Sequence, residues 1–285
     1  MKVFRYLKLF YDLVRFEHTL FALPFAYIGA VLGAGGHISI YQIVWIAAAM
    51  AGARTAGMAL NRLVDQEIDA KNPRTAGRPL PKGVISRGKV WGLVILSFAV
   101  LLYAAYSLSS LCLILSPIAV ALLFMYSYFK RFTWFSHVVL GMILGCAPIG
   151  GWIAVTGRLD MAPIAIGAAV TLWTAGFDIL YACQDVAFDV REGLYSIPAT
   201  FGIKASLAVS ALFHLCTVMI LLGVGLYLKL GWLFYTGLAV TAVLLIYEHS
   251  IISPKDLTRL NEAFFNVNSW ISVSLFIFTV LNYVV

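Results

Sequence analysis

Two stretches of the chain carry carboxylates at spacings that could bind a divalent cation. Asn61, Asp65 and Asp69 recur every four positions, so on a helix they share one face within an arc of about 80°. Asp185 and Asp189 repeat the four-residue spacing further along the chain. Mg²⁺ binds one or two carboxylates, keeps several waters and takes its remaining ligands from phosphate oxygens. Two such pairs facing each other could therefore hold two Mg²⁺ ions with a diphosphate between them.

The first stretch, residues 61–83, is called the first acidic segment, and basic residues directly follow its carboxylates. Lys71, Arg74 and Arg78 lie in a loop that prolines and a glycine stiffen and turn. Arginine binds phosphate through two parallel hydrogen bonds, so this loop could fold over an anion held by the aspartates. The alternative interpretation of the same basic residues is positive charge at a membrane surface.

The second stretch, "GFDILYACQDVAFDVREG" at residues 176–193, is called the second acidic segment. Asp178 lies seven residues before Asp185, with Tyr181 beside it. Arg54 lies deeper in the span that carries the first acidic segment. An ionisable group near the middle of a span costs about 2.5 to 3.5 kcal/mol, which makes both Arg54 and Asp178 functional candidates. The alternative is a buried ion pair between these two residues that braces two helices.

The rest of the chain is far more apolar than a soluble domain. Its mean hydropathy is +0.92 and only 12% of its residues are charged, against about a quarter in soluble proteins. These values indicate an integral membrane protein. Windows of about 20 apolar residues can cross a bilayer as helices. Nine windows fit: 18–35, 41–61, 88–108, 110–128, 136–156, 161–182, 205–228, 231–249 and 264–285.

The distribution of lysine and arginine predicts how these helices are oriented. Basic residues cluster before the first window and in every second loop, whereas the opposite loops carry only Arg158 and Lys229. By the positive-inside rule, the N-terminus and the long loops 62–87 and 183–204 lie in the cytoplasm, and the C-terminus lies outside. The charges spaced along residues 1–16 are typical of an amphipathic helix in the membrane interface.

The two acidic segments lie on the same side of the membrane in this topology. Asp65 and Asp185 are 120 residues apart, as are Asp69 and Asp189. That separation corresponds to four spans, so the two helices run in the same direction. The sequence therefore predicts an all-α membrane protein with nine transmembrane helices in one bundle, one domain over residues 1–285, and a central cavity open to the cytoplasmic side.

Charge and cysteine content exclude several other classes of protein. The net charge of +7 is concentrated in the cytoplasmic loops, which indicates a lipid surface and no nucleic acid partner. The four cysteines lie singly inside predicted spans, and the five histidines are scattered along the chain. These patterns suggest neither a disulfide framework nor a histidine metal site.

The two acidic segments together resemble the paired motifs of the UbiA superfamily of intramembrane prenyltransferases. "ARTAG" followed by "NRLVDQEID" and "NPRTAGRPLPKG" is similar to the first motif. "GFDILYACQDVAFDVREGLYSIPATFG" is similar to the second. The resemblance covers both motifs, the nine-span plan and the cytoplasmic loops, and hence nearly the whole chain. Two motifs at the right separation are a far more specific signal than one DxxxD pattern.

The resemblance implies an enzyme that ionises an allylic polyprenyl diphosphate and attaches the polyprenyl chain to an acceptor. The residues that it places on Mg²⁺ and the diphosphate are Asn61, Asp65, Asp69, Asp185 and Asp189. The residues that it implies as caps over the phosphates are Lys71, Arg74 and Arg78. Asp189 or Asp185 could also assist deprotonation of a phenolic acceptor. The membrane implied is the inner membrane of a bacterial or archaeal cell.

The resemblance also bears on the aromatic acceptor. Asp178 and Tyr181 would line the same cavity, and Arg54 would orient the acceptor or the first-motif helix. The second motif is most similar to branches that serve respiratory quinones, for which the standard acceptor is 4-hydroxybenzoate. The first span, "RFEHTLFALPFAYIGAVLGAGG", resembles a branch on the futalosine route to menaquinone, whose acceptor is a dihydroxynaphthoate. His18 there could hydrogen-bond the acceptor, or it is an interfacial histidine at the start of a span.

Two other interpretations are compatible with paired intramembrane aspartates. An ion-coupled transporter could use them, but it would more typically show glycine- or proline-broken spans at matching mid-membrane positions. It would also not need the sequence "PRTAGRPLPKG". An inactive scaffold derived from the same family is disfavoured because both motifs are intact.

Overall fold

A computed structural model describes residues 19–285, with side chains from residue 22 onward. The amphipathic helix predicted over residues 1–16 and the predicted role of His18 lie outside the described residues. Within them, every regular element is helical apart from one isolated two-residue bridge.

Eleven α-helices follow one another along the described part of the chain. They are α1 (Thr19–Gly33), α2 (Ile40–Val64), α3 (Gln66–Lys71), α4 (Arg87–Leu108), α5 (Ser110–Phe129), α6 (Ser136–Thr156), α7 (Met161–Ala182), α8 (Val186–Glu192), α9 (Ile197–Tyr227), α10 (Trp232–Ser250) and α11 (Asn268–Leu281). A single 3₁₀ turn (Cys183–Asp185) joins α7 to α8, and a π-helix (Glu262–Val267) leads directly into α11.

Eight helical segments are long and apolar enough to cross a membrane, counted over residues 19–285. The described part of α1 is a shorter apolar helix of 15 residues. Each of the nine predicted windows coincides with a helix of this set. The prediction of an all-helical integral membrane protein is therefore confirmed.

The helix boundaries differ from the predicted windows mainly beside the two acidic segments. α2 continues to Val64 instead of ending at residue 61, and the short helix α3 follows it. The predicted loop 183–204 is mostly helical, because α8 fills its first half and α9 already begins at Ile197. Polar residues lower the hydropathy of these turns, so a search for apolar windows does not detect them as helix.

The helix α6 contacts its neighbours at unusually short distances. It packs against α1 on one side and α7 on the other. Gly151 lies against the backbone of Ala26 in α1, and Gly145 lies against the backbone of Gly167 in α7. A Cβ at either glycine would collide with the neighbouring helix, so these small residues set the helix spacing.

Two apolar clusters pack around the helices that carry the acidic segments. The larger one joins α1, α7, α9, α10 and α11 and includes Phe25, Trp173 and Phe234. The smaller one joins α2 to α4 and includes Leu80 and Ile85 from the loop between α3 and α4. Leu80 is 1% exposed, so the basic loop is anchored onto the bundle by its apolar residues.

Candidate active site

The two acidic segments share one local feature, a break in the helix at their first motif aspartate. Asp65 separates α2 from α3 with φ −92° and ψ 7°, and Asp185 precedes α8 with φ −101° and ψ 2°. In the first segment the backbone spacing survives the break, because Asp65 N donates to Asn61 O at 2.9 Å and Asp69 N donates to Asp65 O at 2.7 Å. The predicted four-residue face is therefore retained although the helix is not continuous.

A cavity of about 1310 Å³ lies where the two segments meet. Ten of the side chains proposed from the sequence line it: Arg54, Asn61, Asp65, Asp69, Arg74, Arg78, Asp178, Tyr181, Asp185 and Asp189. Lys71 is not among the lining residues. Its Nζ donates to Glu192 Oε2 at 2.8 Å, and its side chain is 63% exposed.

Asp65 is the most buried of the four motif aspartates, at 2% exposure. Its Oδ2 accepts hydrogen bonds from Lys130 Nζ at 2.6 Å and from Asn61 Nδ2 at 2.9 Å. Arg131 Nη2 lies 3.6 Å from Oδ1, which is buried without a hydrogen bond. Because a buried carboxylate needs compensating charge, the α5–α6 connection supplies what the segment itself does not.

Asp69 is also buried, and its cation comes from its own loop. Arg78 Nη1 donates to Asp69 Oδ2 at 2.6 Å. Thr75, which is 2% exposed, donates its hydroxyl to Asp69 O at 2.9 Å and so ties the loop back to α3. The first acidic segment thus folds its basic loop over its own carboxylates.

Asp185 is paired with a residue of the first acidic segment. Arg74 donates two hydrogen bonds to it, from Nε to Oδ1 at 3.0 Å and from Nη2 to Oδ2 at 2.5 Å. Asn72 Nδ2 adds a third hydrogen bond to Oδ1 at 3.3 Å. Burial alone would lower the pKa of Arg74, but the hydrogen bonds and the charge of Asp185 raise it above its usual value. Arg74 therefore stays charged and joins the two segments.

Asp189 has a different environment from the other motif aspartates. Its Oδ2 accepts a hydrogen bond from Ser196 Oγ at 2.9 Å. Over the part of the chain with described side chains, no lysine or arginine forms a salt bridge with it. Asp189 is thus the motif carboxylate with the least compensating positive charge.

The two ionisable residues deeper in the spans do not form the ion pair considered from the sequence. Asp178 Oδ2 instead lies 2.8 Å from His137 Nδ1. Arg54 Nε is buried without a hydrogen-bond partner, although its side chain lines the cavity. Arg54 is therefore positioned to bind an anionic group that enters the cavity.

Lys130 and Ser196 contact motif aspartates and His137 contacts Asp178, but none of the three was a site candidate from the sequence. Lys130 was visible only as one of the basic residues that predict orientation. Its position directly after an apolar window was the available signal. His137 had no such signal, because its carboxylate partner Asp178 lies on another helix. Ser196 did have one, since it lies in the stretch similar to the second motif, seven residues after Asp189.

The donor set fits a metal that the substrate helps to bind. Among residues with described side chains, no cluster of three or more His, Cys, Asp or Glu side chains could hold a metal alone. Mg²⁺ typically needs only one or two carboxylates when phosphate oxygens complete its shell. Asp65 Oδ1, which has no hydrogen bond, and the Asp189 carboxylate, which has no salt bridge to a described lysine or arginine, are suitable oxygen ligands.

Away from the acidic segments the cavity is lined mainly by apolar side chains. Along α6, lining residues extend from Ser136 to Ile153, a distance of about 25 Å at 1.5 Å per residue. Leu108 of α4 and Leu159 after α6 also line it. The cavity is thus polar at one end and apolar along most of its length.

Comparison with known proteins identifies the family. A model described as the UbiA prenyltransferase family matches residues 22–270. The chain is 32% identical over 230 residues to the 4-hydroxybenzoate octaprenyltransferase of Pseudoalteromonas translucida (strain TAC 125), which covers 81% of this chain and 78% of that protein. It is 31% identical over 256 residues to the protein of the same name from Aeromonas salmonicida (strain A449), covering 88% and 86%.

Solved structures show the same fold. The apo structure of a UbiA homolog from Aeropyrum pernix K1 has a TM-score of 0.85 and 36% identity, and covers 93% of this chain and 98% of that one. A UbiA homolog from Archaeoglobus fulgidus, bound to GPP and Mg²⁺, has a TM-score of 0.79 and 22% identity, and covers 97% and 100%. The chain belongs to the UbiA prenyltransferase family.

Proposed function

We propose that this membrane prenyltransferase transfers a polyprenyl chain from polyprenyl diphosphate to a hydroxylated aromatic acid, with Mg²⁺ as cofactor. The reaction would serve the biosynthesis of ubiquinone or menaquinone, with 4-hydroxybenzoate or a dihydroxynaphthoate as acceptor. One observation carries the proposal: four aspartates, and the cations that pair with three of them, surround the polar end of a long apolar cavity.

The relatives support each part of this reaction. The A. fulgidus homolog binds GPP with Mg²⁺ in one structure and DMAPP with Mg²⁺ in another. The curated relatives act, by their names, on 4-hydroxybenzoate. Family membership favours prenyl transfer over the ion-coupled transporter that paired aspartates could also suggest.

The residues assigned to Mg²⁺ and diphosphate are Asn61, Asp65, Asp69, Asp185 and Asp189. The bound cation would neutralise the diphosphate and favour its departure. Arg74, Arg78 and Lys130 form salt bridges with Asp185, Asp69 and Asp65 respectively. These side chains can turn to the diphosphate when the carboxylates bind metal, because they already lie at the cavity.

The apolar walls of the cavity and the buried residue Arg54 have separate roles in the proposed reaction. The apolar walls hold the prenyl chain and keep water from the allylic cation that forms when the diphosphate leaves. Arg54 binds the carboxylate of the acceptor. Tyr181 stacks on Phe264 at 4.1 Å between ring centroids and accepts a hydrogen bond from Arg74 at 3.3 Å, so it is fixed at the boundary between the two regions.

The active site faces the cytoplasm in this proposal, at the inner membrane of a bacterial or archaeal cell. The connections that carry Lys71, Arg74, Arg131 and Arg191 meet at one end of the bundle, since contacts such as Lys71 with Glu192 and Arg131 with Val64 O join them. Concentrated positive charge at one end favours the cytoplasmic side. The C-terminus then lies outside.

Purified protein in lipid nanodiscs tests the proposal. With Mg²⁺ and geranyl diphosphate, we expect a prenylated product from 4-hydroxybenzoate or from 1,4-dihydroxy-2-naphthoate, identified by mass spectrometry. Chelation of Mg²⁺ should remove the product and its return should restore it. Absence of product from a panel of hydroxylated aromatic acids, in protein that still binds geranyl diphosphate, would contradict the proposed reaction.

A further inference from the structure

His137 and Asp178 form a buried pair in the wall of the cavity, below the motif aspartates. His137 Nδ1 lies 2.8 Å from Asp178 Oδ2, and their side chains are 4% and 19% exposed. Both side chains line the cavity. The pair joins the start of α6 to the last turns of α7. It lies outside the set of carboxylates assigned to metal and diphosphate.

A second hydrogen bond determines which ring nitrogen of His137 carries the proton. The backbone N–H of Ile197, at the start of α9, donates to His137 Nε2 at 3.3 Å. Nε2 is therefore the acceptor, so Nδ1 carries the hydrogen and donates it to Asp178. His137 is thus a donor that orients the carboxylate, and its Nε2 is not available as a base.

One carboxylate oxygen of Asp178 has no hydrogen bond to the described residues, and its side chain lines the cavity. Its Oδ2 is engaged by His137, and no hydrogen bond to its Oδ1 is found among residues 22–285. Both oxygens of Asp185, in contrast, are bound by Arg74. Asp189 is bound by Ser196 at the same end as the diphosphate-binding residues. Asp178 is therefore better placed to accept a proton than either carboxylate suggested from the sequence.

Arg54 and Asp178 line the same cavity at different depths. α2 and α7 run in the same direction, because their C-terminal ends meet through Arg74 and Asp185. Arg54 is eleven residues from Asp65 and Asp178 is seven from Asp185, or about 16 Å and about 10 Å along the helices. Along the helix axis, Asp178 therefore lies about 6 Å closer than Arg54 to the diphosphate end of the cavity.

We propose that Asp178, oriented by His137, accepts the hydroxyl proton of the aromatic acceptor whose carboxylate Arg54 binds. The inference rests on the proposed function and assigns its proton acceptor and acceptor orientation. The hydroxyl then points towards the diphosphate end of the cavity. The new carbon–carbon bond therefore forms at a ring carbon beside the hydroxyl.

The step is balanced in atoms and electrons. The bond between prenyl C1 and the diphosphate oxygen breaks, and its electron pair leaves with the diphosphate. As the ring carbon bonds to C1, the hydroxyl proton passes to Asp178 Oδ1 and a neutral dienone results. The ring proton then leaves to the departing diphosphate, and Asp178 returns its proton to the oxygen. The products are the prenylated phenol and protonated diphosphate, with Asp178 ionised again.

Asp178→Asn tests the assignment with acceptors that differ in hydroxyl acidity. With 4-hydroxybenzoate and geranyl diphosphate, we expect kcat to fall by about 100-fold or more, while the KM for geranyl diphosphate changes by less than about threefold. Fluorine beside the carboxylate, as in 2,6-difluoro-4-hydroxybenzoate, makes the hydroxyl ionise more readily. The ratio of variant to wild-type kcat should rise about tenfold or more with this acceptor.

His137 variants separate a positioning role from a structural one. His137→Phe removes the donor and should lower kcat about tenfold, whereas His137→Asn places an amide N–H near Nδ1 and should restore most of it. Trp152→Phe is the matched control. In the wild type, Trp152 Nε1 donates a hydrogen bond to Asp160 Oδ2 at 3.2 Å, which also joins α6 to the start of α7. The substitution removes this bond at a position far from the motif aspartates. We expect its kcat to stay within twofold of wild type.

The outcomes distinguish this inference from the proposed function. An active wild type together with a fully active Asp178→Asn variant overturns the inference alone. So does an inactive variant whose ratio to wild type is the same for both acceptors, because Asp178 would then be structural. A wild type without product from either acceptor overturns the proposed function, and the inference with it.

Discussion

The two acidic segments have the same aspartate spacing and the same helix break, but they are neutralised in different ways. In the first segment both aspartates are buried, and each pairs with a cation at 2.6 Å. In the second, Asp185 relies on Arg74 from the first segment. Asp189 accepts a hydrogen bond from a serine hydroxyl.

This difference shows how charge is distributed around the cavity. Arg191, the arginine of the second segment, lies over the Phe188 ring at 5.4 Å with a side chain that is 63% exposed. It does not line the cavity. The second segment therefore supplies carboxylates, whereas the first supplies carboxylates and also the arginine that joins the two. We infer that metal binding is shared between the segments and that cationic contact with the diphosphate comes mainly from the first segment.

The largest expected effect is loss of either central aspartate. Asp65→Asn and Asp185→Asn should each lower turnover by roughly 1,000-fold, because each would remove a negative charge that the proposed function assigns to Mg²⁺ binding. The loss should be equal in the two segments, although their cations differ. Turnover is measured by product formation, and gel filtration verifies that the bundle is still folded. Near-normal product from either variant would mean that the segments are not equivalent.

Arg74→Lys should have the second largest effect, on diphosphate binding. Lysine keeps the positive charge but cannot form bidentate hydrogen bonds, so the KM for geranyl diphosphate should rise about tenfold. Arg191→Lys is the matched control in the second segment, and its KM should stay within twofold because that side chain lies outside the cavity. Equal KM changes in both variants would argue against a first-segment origin of the phosphate contacts.

The membrane fold could be predicted from the sequence because span length and apolar content are local properties. These properties did not predict the helix Val186–Glu192, because its polar residues lower the hydropathy and the sequence was interpreted as a loop there. The spacing of Asp65 and Asp69 also predicted a shared face, since the backbone hydrogen bond between them preserves helical periodicity through the break.

The partners of the aspartates could not be predicted in the same way. Asp65 with Lys130 and Asp178 with His137 join residues 65 and 41 positions apart, on helices whose contact depends on packing. Lys71 shows the opposite case. Its place in the motif suggested a phosphate contact, but in the structure Lys71 forms a salt bridge with Glu192 on the surface.

Ser196→Ala should have a moderate effect that tests the hydroxyl donor to Asp189. Ser196 also caps α9 by accepting a hydrogen bond from Ala199 N at 3.2 Å. We expect kcat to fall about tenfold and stability to fall by about 1 kcal/mol. Ser39→Ala removes a similar cap, on α2 at Gln42 N, and should lower stability without changing kcat. An equal fall in kcat for both would assign the effect of Ser196 to helix capping alone.

Lys71→Gln should have the smallest effect and decides whether the first segment has a third phosphate contact. In the structure Lys71 pairs with Glu192 on an exposed surface, where solvent screens the attraction. If that pairing persists with substrate bound, the KM for geranyl diphosphate should change by less than about threefold. A rise as large as that of Arg74→Lys would mean that Lys71 leaves Glu192 for the diphosphate. The first segment would then supply three phosphate contacts, as the family motif implies, and the imbalance between the segments would be greater with substrate than without it.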